Sequence, residues 1–292
     1  MNILLFGGSG QVGWELQRSL APLGRVTAPP HAACDLTDPD AIRRCIETAA
    51  PQVVVNAAAY TAVDRAEAEA ELAERLNALA PAVMAETAAR LGAVLVHYST
   101  DYVYRGDGER PWREDDAPAP LSVYGQTKLA GDRAIQQAGG VHLILRTSWV
   151  YGVHGRNFPR TILELARQRQ GLTVVADQIG APTGADLIAD VTAHALRAVR
   201  DDPSRGGLYH LAAAGEASWY AVARQVLELA ARRGAALQTT ADQVRPIAST
   251  DYPTAARRPA NSRLDTARLR QAFGLYLPPW HEGLARFIET LT

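Results

Sequence analysis

Three side chains with complementary proton chemistry stand close together in the chain. Thr100 lies in Ser99-Thr100-Asp101, and Tyr124 and Lys128 bound Tyr124-Gly125-Gln126-Thr127-Lys128. A tyrosine and a lysine four positions apart share one face of a helix, so a phenol and an ammonium can address the same ligand. Free tyrosine has a pKa of about 10, and a neighbouring cation favours the phenolate, which brings proton transfer toward neutral pH. Thr100 follows the apolar run Ala93-Val94-Leu95-Val96-His97-Tyr98, which reads as a buried strand carrying a hydroxyl to the carboxyl edge of a sheet. Hydroxyl, phenol and ammonium together would polarise and protonate a carbonyl. Tyr-x-x-x-Lys alone is a common coincidence, so the surrounding elements decide.

The first of these is the N-terminus. Met1-Asn2-Ile3-Leu4-Leu5-Phe6 reads as a short strand, Gly7-Gly8-Ser9-Gly10-Gln11-Val12-Gly13 as a loop, and Trp14 to Leu20 as a helix. Gly7, Gly10 and Gly13 permit a tight turn, approach of backbone N–H groups to a pyrophosphate, and close packing of helix on strand. The helix N-terminus adds the positive end of a dipole. Dinucleotide sites that prefer NAD usually carry an acidic residue at the end of the second strand. Here that place is Ala28-Pro29-Pro30-His31, without a carboxylate, and Arg25 or His31 could approach a 2′-phosphate. The reading leans to NADPH, with NADH open.

A chain of 292 residues buries roughly three quarters of its unfolded surface, so it needs no staples. With 30 basic and 31 acidic residues and a net charge of −1, it has no global field to draw nucleic acid or an anionic membrane. Cys34 and Cys45 read as reduced thiols. The apolar opening is too short for a signal-peptide core and no stretch is long enough to span a bilayer, so a cytoplasmic protein is expected.

Strand and helix signals then alternate. Gly24–Ala28 is a weak strand, Asp38 or Thr37 can cap a helix begun by Pro39, and Gln52–Asn56 is a strand buried on both faces. Ala66 to Leu91 reads as one long helix, bent at Pro81. The fold expected is α/β, a doubly wound parallel sheet of Rossmann type. Residues 1–150 are assigned to dinucleotide binding, and 151–292 mainly to a smaller substrate domain with segments returning to the first.

These blocks resemble the extended short-chain dehydrogenases. They do so together with Asn56-Ala57-Ala58-Ala59-Tyr60-Thr61-Ala62-Val63-Asp64, Arg146-Thr147-Ser148-Trp149-Val150-Tyr151-Gly152, Gly155-Arg156-Asn157-Phe158 and Arg257-Arg258-Pro259-Ala260-Asn261-Ser262. Within that superfamily they are similar to the dTDP-4-dehydrorhamnose reductase family. The resemblance implies NAD(P)H-dependent reduction of the C4 ketone of a dTDP-4-keto-6-deoxyhexose in making dTDP-L-rhamnose. It makes Tyr124 the proton donor, Lys128 the cation on the nicotinamide ribose that lowers the phenol's pKa, and Thr100 the hydroxyl on the substrate carbonyl. It places Gly10, Gln11 and Val12 at the pyrophosphate, Asp35 and Leu36 at the adenosine end, and Ala59, Tyr60 and Thr61 in a cofactor loop. Asp101, Tyr102, Trp149, Asn157 and Arg258 fall to the sugar nucleotide. Two departures stand out: Gly8, expected to loosen the turn slightly, and Tyr104, where phenylalanine is frequent.

Other readings stay open. An epimerase of the same superfamily would return its hydride, and a non-catalytic member, like the regulatory subunit of methionine adenosyltransferase, would only bind a partner. Intact Thr100, Tyr124 and Lys128 weigh against the latter. Glu15 reads as a solvated first-turn glutamate, with a magnesium-bridged homodimer contact as its alternative to a monomer; no protein metal site is assigned. Arg257 and Arg258 lie in a proline-broken segment that could fold over a pyrophosphate. Glu109, Glu114, Asp115 and Asp116 read as a solvated acidic loop, and His97 as a buried strand residue.

Overall fold

Parallel strands covered on both faces require near-continuous apolar runs, and the computed structural model, which describes residues 1–291, builds its central sheet from such runs. In chain order come β1 (Asn2–Phe6), α1 (Gln11–Leu20), β2 (Arg25–Thr27), α2 (Pro39–Ala49) and β3 (Val53–Asn56). They are followed by α3 (Val63–Ala66), α4 (Ala70–Glu74), α5 (Ala80–Leu91), β4 (Val94–Thr100), α6 (Val123–Gln137) and β5 (His142–Thr147). The remainder holds β6 (Val150–Tyr151), α7 (Phe158–Ala166), β7 (Leu172–Val175), β8 (Ile179–Gly180), β9 (Thr183–Gly184) and α8 (Ala185–Asp201). Last are β10 (Gly207–His210), β11 (Ala217–Ser218), α9 (Trp219–Arg232), β12 (Val244–Ile247), α10 (Ala267–Phe273) and α11 (Trp280–Glu289).

Six parallel strands form the main sheet in the order β10-β5-β4-β3-β1-β2. β2 and β3 flank β1 on opposite sides, so the winding reverses there, and a crevice opens beyond the carboxyl ends of β1 and β3. Along β1 the side chains alternate between two cores. Ile3 and Leu5 face Leu16, Ile188 and Leu196, whereas Leu4 and Phe6 face Ile42, Ile46 and Met84. A third core, with Ile162, Leu163, Val222, Val226 and Phe287, is built after β6, while β10 returns to the main sheet beside β5. Among the described residues no helix is long and apolar enough to cross a membrane.

Helix starts follow their caps. Asp38 accepts from the Asp40 N–H at 2.9 Å, Ser218 from Ala221 at 3.1 Å, and Ser122 from Gly125 at 3.2 Å. The Ser122 cap begins α6 at Val123 and puts Tyr124 in its first turn. The helix expected over 66–91 forms from Ala70 to Leu91: α4, a π-helical segment Arg75–Leu79 and α5 run on without interruption, while α3 is separate; the π segment lies immediately before Pro81, where the bend was expected. The π segment turns Asn77 inward, where its amide oxygen accepts from Tyr60 N–H at 2.9 Å and its nitrogen donates to the Thr127 hydroxyl at 3.2 Å. One buried side chain thereby ties the loop after β3 to α6.

Candidate active site

β4 ends at Thr100, level with Thr147 of β5, and α6 crosses close by because Gly125 and Gly131 have no Cβ to strike the Tyr102 and Asn77 carbonyls. Thr100 Oγ1 accepts the Tyr102 N–H at 3.2 Å and donates to Asp101 Oδ1 at 3.2 Å. The Thr100 hydroxyl also interacts with the Tyr124 phenol, which packs edge-on against Tyr102 at 5.5 Å. Lys128 is 1% exposed, and its Nζ donates to the Tyr98 carbonyl at 2.6 Å and lies 3.1 Å from His97 Nε2. Thr100 and Tyr124 come together, and Lys128, one turn after Tyr124 on α6, reaches β4 at Tyr98 and His97.

Their electrostatics differ from the sequence expectation. Burial pushes the Tyr124 phenol well above its ordinary value; the Thr100 hydrogen bond offsets this in part and the Asp101 charge adds to it. Lys128 gives the phenol no relief, because its amine is turned to the strand carbonyl, and burial lowers its own pKa to about 8. Burial raises the Asp101 carboxyl to about 7, and Asp101 Oδ2 has no hydrogen-bond partner within the protein. An orphaned buried oxygen beside a hydroxyl and a phenol is suited to a polar ligand.

The glycine loop forms a second cluster. Gly7 has φ +81°, and a Cβ there would come within 2.5 Å of Ala58 N; one on Gly13 would come within 2.0 Å of the Gly7 carbonyl oxygen. α1 has no side-chain N-cap, so the N–H groups of its first turn, at Gln11, Val12 and Gly13, are directed at the crevice mouth. This cradle fits a dinucleotide pyrophosphate. Gly8 does not loosen the turn as expected: its carbonyl accepts from Gln17 Nε2 at 2.9 Å, and the missing Cβ makes room for the Ala28 methyl. The end of β2, with no carboxylate, therefore abuts the loop.

The other expected residues divide. Tyr60 is buried with its hydroxyl on Glu69 at 2.6 Å, and Ala59 and Thr61 flank it beside the glycine loop. Asp35 is exposed with its carboxylate on the Thr37 N–H and hydroxyl, both at 2.8 Å, and Leu36 packs into the core. Asn157 goes to the glycine loop rather than to Thr100. Its nitrogen donates to Gln11 Oε1 at 3.0 Å and its oxygen caps α7. Arg258 reaches Asp64 at 2.6 Å and the Tyr102 hydroxyl at 3.4 Å, which brings it to the catalytic cluster, whereas Arg257 is exposed. Trp149 has φ +49° and stacks on Trp219 at 3.6 Å, with Gly180 leaving room for its ring. A non-glycine residue held in that region marks a site where the surroundings enforce the conformation.

Two expectations are corrected by packing. Glu15 is not a solvated glutamate: Arg18 covers it at 3.2 Å and bridges to Asp190 at 2.9 Å. Among the described residues no group of three or more His, Cys, Asp or Glu side chains gathers to hold a metal, at Glu15 or elsewhere. The acidic loop is only partly solvated, since Glu114 accepts the His210 N–H at 2.9 Å and Asp116 takes both Arg110 nitrogens at 2.8 and 2.7 Å.

A buried network behind the site was not legible in the sequence. Arg146 Nε pairs with Asp132 at 3.0 Å, its Nη1 donates to the Tyr104 hydroxyl at 2.7 Å, and that oxygen lies 2.7 Å from His210 Nε2. Burial and the neighbouring Arg146 lower His210 to about 3, so the ring is neutral. Asp132 follows Lys128 by one helical turn; that spacing was the available signal.

The family model for the RmlD substrate binding domain matches residues 1–292. A dTDP-4-dehydrorhamnose reductase from Escherichia coli K12 is 50% identical over 295 residues, covering 100% of this chain and 98% of its own. Among solved structures, a dTDP-4-dehydrorhamnose reductase from Clostridium acetobutylicum superposes with a TM-score of 0.91 at 34% identity, covering 100% of this chain and 99% of that one. One from Bacillus anthracis, in complex with NADP, gives 0.90 at 32% identity over 99% of both chains. With the glycine cradle and the Thr100–Tyr124–Lys128 cluster in place on a parallel sheet, the chain belongs to the RmlD substrate binding domain family.

Proposed function

We propose that this protein reduces the C4 ketone of dTDP-4-dehydro-L-rhamnose to dTDP-L-rhamnose with NADPH. The observation that carries the reading is the meeting of the Thr100 hydroxyl with the Tyr124 phenol at the sheet's carboxyl edge, with β3 alone between β4 and the strand that leads into the glycine cradle. The names of the full-length relatives from Escherichia coli and Clostridium acetobutylicum support the substrate, and the NADP complex of the Bacillus anthracis relative supports the cofactor.

Bound reduced nicotinamide supplies the hydride. The chain's own groups do the rest. Gly7 and Gly10 bring the backbone up to the pyrophosphate, the N–H groups of Gln11, Val12 and Gly13 hold it, Ala59, Tyr60 and Thr61 wall the crevice, and Asp35 and Leu36 lie toward the adenosine. Thr100 orients the ketone oxygen and donates to it as charge develops. Tyr124, whose burial keeps the phenol protonated, delivers its proton to that oxygen. Lys128 holds the ribose and restores Tyr124. Asp101, Tyr102, Trp149 and Arg258 address the sugar nucleotide, with Arg258 exchanging Asp64 for a phosphate, and Asn157 sets the glycine loop through Gln11. Residues 1–150 carry the cofactor and most of 151–292 the substrate. The reaction is cytoplasmic, in a monomer or a homodimer.

NADPH and NADH oxidation assays with dTDP-4-dehydro-L-rhamnose, followed by identification of the product sugar, test this. Stoichiometric dTDP-L-rhamnose is expected. Epimerised product without net cofactor consumption, or no turnover with cofactor bound, would overturn it.

A further inference from the structure

Lys128 is the one lysine in a chain whose lysines and arginines number 30. Arginine serves every other basic position, and arginine does not release its proton in proteins; a buried lysine does. The hydrogen bonds around Nζ state which form it takes. The Ala58 N–H donates to Asn56 Oδ1 at 3.2 Å, which orients that amide so that its nitrogen faces His97 Nδ1 at 3.0 Å. An amide nitrogen has only protons to offer, so Nδ1 accepts. Burial alone holds the His97 ring neutral, well below its ordinary pKa, whatever the charge on Lys128. A neutral ring carries one proton, here on Nε2, 3.1 Å from Lys128 Nζ. An ammonium has three donors and no acceptor, so it would oppose one N–H with another. A free amine presents a lone pair to His97 and still donates to the Tyr98 carbonyl at 2.6 Å.

We propose that Lys128 rests as a free amine, kept so by Asn56 and His97, and takes up one proton from solvent when the anionic dinucleotide fills the crevice. The charge that assists Tyr124 then exists only in the loaded site. Asn56 and His97 are positioning residues. The groups facing Lys128 permit this balance. Asp132 favours the ammonium, but its Oδ2 pairs with Arg146 at 3.0 Å and its Oδ1 has no hydrogen-bond partner, so no bond ties it to Lys128. The burial that lowers Lys128 to about 8 works in the same direction. The uptake step rests on the reductase reading; the resting form does not.

Protein labelled with carbon-13 at lysine Cε gives a single resonance, whose shift reports amine or ammonium. In ligand-free protein the midpoint should lie below about 7, against about 10.4 for free lysine, because the value of about 8 that burial gives would still leave the ammonium dominant at neutral pH. Saturating NADP⁺ should raise it by about one unit or more, a tenfold change, and calorimetry in buffers of different ionisation enthalpy should show net proton uptake. His97→Gln, whose amide oxygen can accept from an ammonium, should raise the ligand-free midpoint. Asn56→Asp should do the same by drawing the ring proton to Nδ1. A midpoint above about 7 in ligand-free wild-type protein overturns the resting form. NADP⁺ that binds without moving the midpoint overturns the coupling, and NADP⁺ that fails to bind counts against the reductase reading while the ligand-free midpoint still decides the amine.

Discussion

Asp132 Oδ2 and Arg146 Nε lie 3.0 Å apart, with side chains 1% and 4% exposed, and they tie the helix bearing Tyr124 and Lys128 to the strand beside Thr100. Removing one partner leaves the other charge buried and unpaired. Asp132→Ala should therefore destabilise the protein by about 3–5 kcal/mol, read from urea unfolding. A cost below about 1 kcal/mol would show that the pair does not bind these elements together.

Tyr124→Phe keeps the ring against Tyr102 and removes only the proton donor. Cofactor binding should persist, and kcat should fall by at least about 100 to 1,000 fold, the range for losing one oxyanion donor. Substantial turnover by this variant would take Tyr124 out of the chemistry.

Tyr104→Phe restores the residue frequent in the family that the chain resembles, yet here it should be costly. The hydroxyl satisfies Arg146 Nη1 and His210 Nε2 at 2.7 Å each. Stranding both buried groups should cost about 1–3 kcal/mol in thermal or urea unfolding. Unchanged stability would mean that the network re-forms without the hydroxyl.

Gly13→Ala tests the cradle. The added methyl would meet the Gly7 carbonyl oxygen at 2.0 Å, and both are backbone positions with little freedom to move apart. NADPH binding, followed by cofactor fluorescence, should weaken by about tenfold or more, since the amides would lose their aim. Wild-type affinity would place the pyrophosphate elsewhere.

Asp101→Asn carries a pH signature. Burial raises the native carboxyl to about 7, while an unfolded aspartate titrates near about 3.9. Between those values the folded state holds a proton that the unfolded state has released. This stability is complete below about pH 4 and is lost as pH rises toward 7. The asparagine variant has no such proton, so its stability relative to wild type should rise across that window by about 1 kcal/mol or more per unit. Urea midpoints of both proteins at pH 5 and 8 give the comparison, and a pH-independent difference would refute the shifted carboxyl.

Much of this molecule follows from short-range rules that the amino-acid order obeys by itself. Alternation along Ile3, Leu4, Leu5 and Phe6 determines a strand covered on both faces, Ser122 determines where α6 starts, and a four-residue step puts Tyr124 and Lys128 on one side of it. Those outcomes depend on backbone geometry within one or two turns. Partners far apart in the chain were decided only by packing. Asn56 meets His97, Tyr104 meets His210, Asn157 meets Gln11, and Arg258 meets Asp64, at separations of 41, 106, 146 and 194 residues. The π segment at Arg75–Leu79 is of the same kind, because it buries Asn77 against Tyr60 and Thr127 where local propensity favours a regular α-helix. Which side chain is an acid, a base or a spectator depends on burial and on its partner's orientation. Tertiary structure therefore decided the protonation of Lys128, although the sequence had already placed it.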